Sequence, residues 1–227
     1  MMLNQTGVAA DKEAQLTIHD LSLSISPSMV TWPGDPAVRI EPRLRIARGD
    51  PANVSELCFG SHTGTHVDPP FHFDDQGLPV DRVPLDLLIG RAWVCEVTSE
   101  RDVGVAALRG NVPAGAIRLL LKTANSELWR REVLEFSPDF VTLTVGAAHW
   151  LLDQGIRLLG VDYLSLERPG SEGFPVHHAL LGAGMVVVEG LNLSSLRTGW
   201  YNFYCLPLKV TGGDGAPARA VAVGPLQ

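Results

Sequence analysis

Thr144-Val-Gly-Ala-Ala-His-Trp-Leu-Leu-Asp-Gln-Gly155 runs almost directly into Arg157-Leu-Leu-Gly-Val161, and the pairing of these two segments decides the fold class. Thr144 is placed as an N-cap whose hydroxyl takes a free helical amide, and Gly155 stands where a left-handed residue closes a helix, so a helix is predicted over Val145–Gln154. The aliphatic run Leu158–Val161 is too short for a helix and reads as a buried strand. Moving outward, similar β-branched or alternating runs predict strands at Leu16–Ile25, Val38–Ile46, Val54–Phe59, Ala92–Val97, Ile117–Leu121, Met185–Val188, Trp200–Val210 and Ala218–Val223. Shorter helical patterns fall at Val83–Ile89, Val103–Leu108, Ser126–Val133 and around His177–Leu181. Strand-helix-strand order in the middle with strand-rich ends predicts one α/β domain built on a mixed sheet.

The chain has 227 residues and a formal net charge of −7, and it shows no cluster of Lys and Arg. Phosphate contacts need such clusters, so nucleic acid is not an expected partner. No stretch reaches the roughly 18 apolar residues of a membrane span, and the first eighteen residues carry no signal-peptide pattern, so a cytoplasmic protein is expected. Residues 1–15 are polar and read as a flexible extension, with the folded domain at 16–227. Cys58, Cys95 and Cys205 form an odd set without CxxC spacing and read as small buried hydrophobes rather than disulfide or thiolate sites.

The chemistry sits in the histidines. Ser61-His-Thr-Gly-Thr-His-Val-Asp-Pro-Pro-Phe-His-Phe73 gathers four potential metal or proton-transfer groups within eleven residues. His62 and His66 have helical spacing, but Gly64, two threonines and the Pro69-Pro70 pair all oppose a helix. In an extended strand the two imidazoles would lie about 13 Å apart, too far for one ion, so Gly64 is expected in a turn that folds the chain back. His62, His66 and Asp68 then supply the three protein ligands of a site that keeps a position open for water, and nitrogen and oxygen without sulfur suit Zn or Mn. His72, beyond the stiff Pro-Pro pair, holds the place of a general base; as a fourth ligand it would instead close the site.

A second segment, Pro175-Val-His-His-Ala-Leu-Leu, begins a short helical turn and leads to Glu189 at the end of a Val-Val-Val run. A carboxylate there is costly unless paired or coordinated, which makes Glu189 a ligand candidate. Adjacent helical residues point about 100 degrees apart, so one of His177 and His178 faces an ion and the other lies beside it or toward substrate. His149, beside Asp153, is expected to be solvated, and His19 to be a cross-strand partner.

His62-Thr-Gly-Thr-His-Val-Asp-Pro-Pro-Phe-His72 matches the HxGTHxDxPxH signature, and the chain thereby resembles the metal-dependent cyclase family of kynurenine formamidases, isatin hydrolases and trans-dienelactone hydrolases. Thr31-Trp-Pro-Gly-Asp35, Gly160-Val-Asp-Tyr-Leu-Ser165, the His177 to Leu191 region and Leu206-Pro-Leu-Lys209 extend the likeness over nearly the whole chain, and it is nearest to the kynurenine formamidases. The resemblance implies a swivelling β/β/α fold assembled as a homodimer or homotetramer. It implies a first divalent ion on His62, His66 and Asp68, and a second, bridged by Asp68, on His177 and Glu189. Glu189 would also touch the first ion, so the chain would carry one or two ions of Zn or Mn. His72 would transfer protons, and Trp32, with His178 nearby, would contact a small aryl substrate. The implied activity is hydrolysis of an N-formylkynurenine-like formamide by metal-activated water. Alternatives are hydrolysis of a cyclic amide or lactone with a single Mn, and a noncatalytic metal-binding role. Two prolines after Asp68 and an unmatched stretch from Asn125 to Val133 depart from the formamidase pattern; both bear on the pocket wall rather than on the metal chemistry.

Overall fold

A computed structural model describes residues 17–99, 101–131 and 135–226. Twelve strands and five helices occur among them. The strands are β1 (Thr17–Asp20), β2 (Arg39–Leu44), β3 (Val54–Cys58), β4 (His66–Asp68), β5 (Ile89–Glu96), β6 (Asp102–Val103), β7 (Arg118–Lys122), β8 (Thr142–Leu143), β9 (Leu158–Val161), β10 (Val186–Glu189), β11 (Gly199–Pro207) and β12 (Ala216–Leu226). The helices are α1 (Leu85–Leu88), α2 (Val105–Leu108), α3 (Ser126–Arg130), α4 (Val145–Asp153) and α5 (Pro175–Gly182).

The main sheet has the order β1-β12-β11-β5-β7-β9-β10-β4, and β4 also pairs with the start of β12. That second pairing closes the sheet on itself into a barrel-like body, with β1 as an appendage along the far end of β12. Strands β5, β7, β9 and β10 run parallel, while β4, β11 and β12 join antiparallel, so the sheet is mixed as expected from the sequence. Side-chain alternation gives the sheet two apolar faces. Inside, Val94, Leu120, Leu158, Val188 and Phe203 pack with Leu21 and Ala222. On the outer face, Leu119, Leu121, Leu159 and Val187 lie under α2, α4 and α5, meeting Leu108, Leu151 and Leu180. The result is a β/β/α arrangement in one domain.

The segment that decided the fold class forms as its chemistry dictates. The Thr144 side chain accepts from the Ala147 amide at 3.1 Å, and Gly155 has φ +80. All nine expected strands form. Three more were not anticipated: β4, β6 and β8 are two or three residues long and carry no readable period. Two helix boundaries move as well. Ile89 opens β5 instead of ending α1, and Val103 pairs in β6 with β8 before α2 begins. The expected helix from Ser126 is observed to Arg130, with its last residues outside the described set, as is the 1–15 extension. Cys95 and Cys205 are buried, whereas Cys58 is half-buried on the β2–β3 ribbon, where Arg39 reaches its sulfur; ribbon edges lie outside the core, so the buried expectation fails there. His149 is exposed and His19 meets Ser195 at 3.2 Å across the chain.

Candidate metal centre

The two histidine segments become neighbours through one pairing of the sheet. Strands β4 and β10 run antiparallel with Glu189 opposite His66 and Val187 opposite Asp68. Within β4, residues two apart share a face, so His66 and Asp68 point together while Val67 turns into the barrel core. Ahead of the strand, Gly64 has φ +69 in a turn that brings His62 back over it. The chain is thus extended only from His66, and the turn shortens the separation that a full strand would impose. Gly190, also at positive φ, crosses so close to Gly64 that a Cβ there would lie 2.2 Å from the Gly64 carbonyl oxygen. Its own carbonyl accepts from the Thr65 hydroxyl at 2.5 Å, which pins the turn to the end of β10.

Five side chains converge on this point. His62 Nδ1 lies 2.8 Å and His66 Nε2 3.3 Å from Asp68 Oδ1. Glu189 Oε2 lies 3.6 Å from His66 Nε2, and Glu189 Oε1 lies 3.4 Å from His177 Nε2. Three ligand-capable triads result: His62–His66–Asp68 and Asp68–His177–Glu189, which share Asp68, and the more exposed His62–His72–Asp214 beside them. Asp68, His66, His177 and Glu189 are buried. Two of their atoms, His66 Nε2 and Asp68 Oδ2, are fully enclosed without a hydrogen-bond partner. Such atoms ordinarily cost about 1–3 kcal/mol each, and a divalent ion is the partner this nitrogen and oxygen set fits.

The electrostatics follow from crowding opposite charges into little space. Burial opposes the charged form of His62, but Asp68 and Asp214 prevail and hold it up at about 9. Burial likewise opposes charge on His177, while its bonds to Glu167 and Glu189 raise it to about 10. Asp68 is driven well below the usual carboxylate range by His66 and His62 despite its burial. Glu189 goes the other way, raised by burial and by the Asp68 charge. His72 is the exception among the four imidazoles, since burial and the positive neighbours His62 and His177 push it down to about 4. Its ring lies against that of His62, tilted by 30° with centroids 4.0 Å apart, so the neutral imidazole stands against the ligand cluster.

His62, His66, His72, His177 and Glu189, with Asp68 buried behind them, line one side of a cavity of about 240 Å³ whose other walls include Trp32, Asp35, Phe73, Leu164 and Phe174. Trp32 meets Phe136 edge-on at 5.3 Å, in an aromatic cluster with Phe140 and Tyr163. Trp32 and Asp35 are the ends of one tight turn, closed by the Asp35 amide on the Trp32 carbonyl at 3.1 Å with Gly34 at φ +100. His178 does not line this cavity. It is exposed one helical step from His177, and its ring touches Phe73 edge-on at 5.1 Å.

Three polar groups at the site were not singled out from the sequence. Glu167 accepts from His177 Nδ1 at 2.5 Å; it follows Val161-Asp-Tyr-Leu-Ser-Leu166, where Asp162 and Ser165 interrupt the apolar residues, so its signal is weaker than the one that marked Glu189. Asp214 lies 3.3 Å from His62 Nε2, and Asp35 faces the cavity; both sit in glycine-containing turns whose sequences signal only the turn.

The family model described as "Putative cyclase" matches residues 19–168. Kynurenine formamidase of Salinibacter ruber is 38% identical over 215 residues, covering 91% of this chain and 97% of that protein. Among solved structures, a "predicted metal-dependent hydrolase" from Bacillus stearothermophilus aligns with a TM-score of 0.78 at 29% identity, over 92% of this chain and 99% of that one. Isatin hydrolase A from Ralstonia solanacearum aligns with a TM-score of 0.78 at 25% identity, over 92% of each.

Proposed function

The chain belongs to the cyclase family, and from that premise we propose that it is a metal-dependent amidohydrolase whose substrate is a small N-formylated aryl amine. The observation that carries the metal part is the pair of enclosed, unpartnered atoms, His66 Nε2 and Asp68 Oδ2, at the junction of two ligand triads. The 38% identity to a kynurenine formamidase supports the formamide as substrate. His62, His66 and Asp68 would hold one ion and Asp68, His177 and Glu189 a second, Zn or Mn by donor type. A bound divalent ion lowers the pKa of water from about 15.7 toward 7 and polarises a carbonyl.

The remaining work falls to the chain's own side chains. Trp32, Phe73 and Phe174 wall the cavity with aromatic surface suited to an aryl group. His72, neutral at pH 7, accepts a proton at an imidazole nitrogen from the attacking water and returns it to the leaving amine nitrogen. Phe174 holds a strained φ of 44 at the start of α5, where its ring borders both Phe73 and His177. His72→Ala should keep its metal and lose about 10²- to 10⁴-fold in kcat. Loss of metal in that variant would make His72 a ligand and end its proton-transfer role.

A second reading, opening of a cyclic amide, is favoured by the 25% identity to an isatin hydrolase. Parallel assays of an aryl formamide, a lactam and a lactone with Zn- and Mn-loaded protein separate the two. Activity on the formamide alone supports the main reading, and activity on the lactam alone overturns it. We also take residues 16–227 as the hydrolase domain, with 1–15 as an extension. Three unpaired cysteines support a reducing, cytoplasmic setting. No helix among the described residues is long and apolar enough to cross a membrane. The isolated β2–β3 ribbon exposes Ile40, Leu44, Val54 and Leu57, and a two-stranded ribbon is marginal by itself, which supports a homodimer or homotetramer; the mass in solution reads this directly.

A further inference from the structure

An imidazole that offers one ring nitrogen to an ion almost always donates the N–H of the other to a partner, which fixes the tautomer and the ring orientation. The three candidate ligand histidines meet this condition in different ways. His66 Nδ1 donates to the Gly64 carbonyl at 2.9 Å, a backbone partner. His62 Nε2 faces Asp214, half of whose side chain is in solvent, at 3.3 Å. His177 Nδ1 donates at 2.5 Å to Glu167, which is only 3% exposed. Of the three arrangements, this one alone uses a buried side chain, and it turns His177 Nε2 toward Glu189 at 3.4 Å.

Glu167 is bonded beyond what helix capping requires. Its Oε1 accepts from the Val176 amide at 3.0 Å and its Oε2 from the His177 amide at 2.9 Å, two free N–H groups in the first turn of α5. Those two bonds account for a cap. The third, to the ring of His177, does nothing for the helix and fixes which ring nitrogen points at Asp68 and Glu189. The same carboxylate therefore sets both the position of the His177 backbone and the orientation of its ring.

We propose that Glu167 is the positioning residue for the second ion position, holding His177 with Nε2 toward Asp68 and Glu189 and thereby setting the affinity of that position separately from the first. This rests on the two-ion reading above.

The test titrates metal-free wild type, Glu167→Gln and Glu167→Ala with Co²⁺, following the visible d–d absorption and competition by a chelator. Wild type is expected to take two ions. Both variants should keep the first ion, on His62, His66 and Asp68, at wild-type affinity. The second should weaken by about 10- to 100-fold, with an altered spectrum for that ion alone. Glu167→Gln keeps the volume and one amide-accepting oxygen, so it separates ring orientation from helix capping, and far-UV circular dichroism checks α5. Two ions at wild-type affinity in both variants overturn the proposal. Equal weakening of both ions overturns it too, because Glu167 would then act on the fold as a whole. A wild type that takes one ion removes the second position and the proposal with it. A wild type that takes none refutes the metal reading itself.

Discussion

Replacing Gly190 by alanine tests the contact on which the candidate centre depends. Gly190 has φ +67, a backbone conformation that costs a residue with a Cβ about 1–2 kcal/mol. The new Cβ would also lie 2.2 Å from the Gly64 oxygen, 2.8 Å from its carbonyl carbon and 3.2 Å from Thr65 Cα. All three are backbone atoms, so no rotamer change can relieve the overlap. Forced overpacking of this kind adds about 1–3 kcal/mol, giving a total of about 2–5 kcal/mol against the usual 5–15 kcal/mol of a domain. Gly184→Ala is the internal control. Its φ is +80 but nothing lies within 4 Å of the added Cβ, so only the conformational cost of about 1–2 kcal/mol applies. Urea denaturation of both variants in chelator at one pH gives the comparison free of ligand stabilisation. Gly190→Ala should exceed the control by about 1–3 kcal/mol with an unchanged m value. It should also weaken metal retention, because the displaced Gly64 carbonyl is the group that holds His66 Nδ1. Equal losses in the two variants would refute the close approach of Gly190 to Gly64, and wild-type stability in Gly190→Ala would refute the β4–β10 register itself.

Two further outcomes follow from the same geometry. In metal-free protein His62 and His177 hold their protons up to about 9 and about 10, since the surrounding carboxylates outweigh the burial that opposes their charge. Ligands must be neutral, so metal uptake at pH 7 should release protons, and apparent affinity should rise as pH climbs toward 9; an indicator dye in weak buffer reads the release, and none would contradict these shifts. Trp32→Ala removes one aromatic wall of the cavity and should raise KM for an aryl formamide by about 2- to 13-fold, the equivalent of an aromatic contact of about 0.5–1.5 kcal/mol, with metal content unchanged. An unaltered KM would place the aryl group elsewhere.

What the sequence makes legible follows the length over which each signal is summed. Leu158–Val161 and Met185–Val188 are short runs without a polar side chain, so their burial in the sheet is written in composition alone. The Thr144 hydroxyl and Gly155 mark a helix by local chemistry that no tertiary contact has to supply. Strand β4 has neither kind of mark. It consists of His66, Val67 and Asp68, and it is a strand because β10 and β12 flank it, a fact about residues more than a hundred positions away. Hence the sequence identifies a turn at Gly64 and the ligand candidates around it, but not the pairing that brings Glu189 opposite His66.

That pairing explains why some site residues are readable and others are not. A strand has a side-chain period of two, so a slip of one residue between β4 and β10 would bury His66 and Asp68 in the barrel and present Val67 to the cavity. The register is held from both sides. Val67 and Val188 fill the interior, and the Thr65 hydroxyl and the Gly190 carbonyl lock the turn. Residues whose role is to donate atoms to the centre are polar groups within apolar or constrained surroundings, and His66, Asp68, His177 and Glu189 stand out for that reason. Residues that orient those donors need only be polar and nearby. Asp214 in Gly212-Gly-Asp-Gly215 has the sequence of any solvated turn, and nothing local reports that Gly215 packs against the His62 ring so closely that a Cβ would lie 2.6 Å from it. Glu167 is the intermediate case. It follows a segment that mixes Val161, Tyr163, Leu164 and Leu166 with Asp162 and Ser165, so the sequence marks it only weakly, and its partner is decided only where α5 folds back to set His177 beside it.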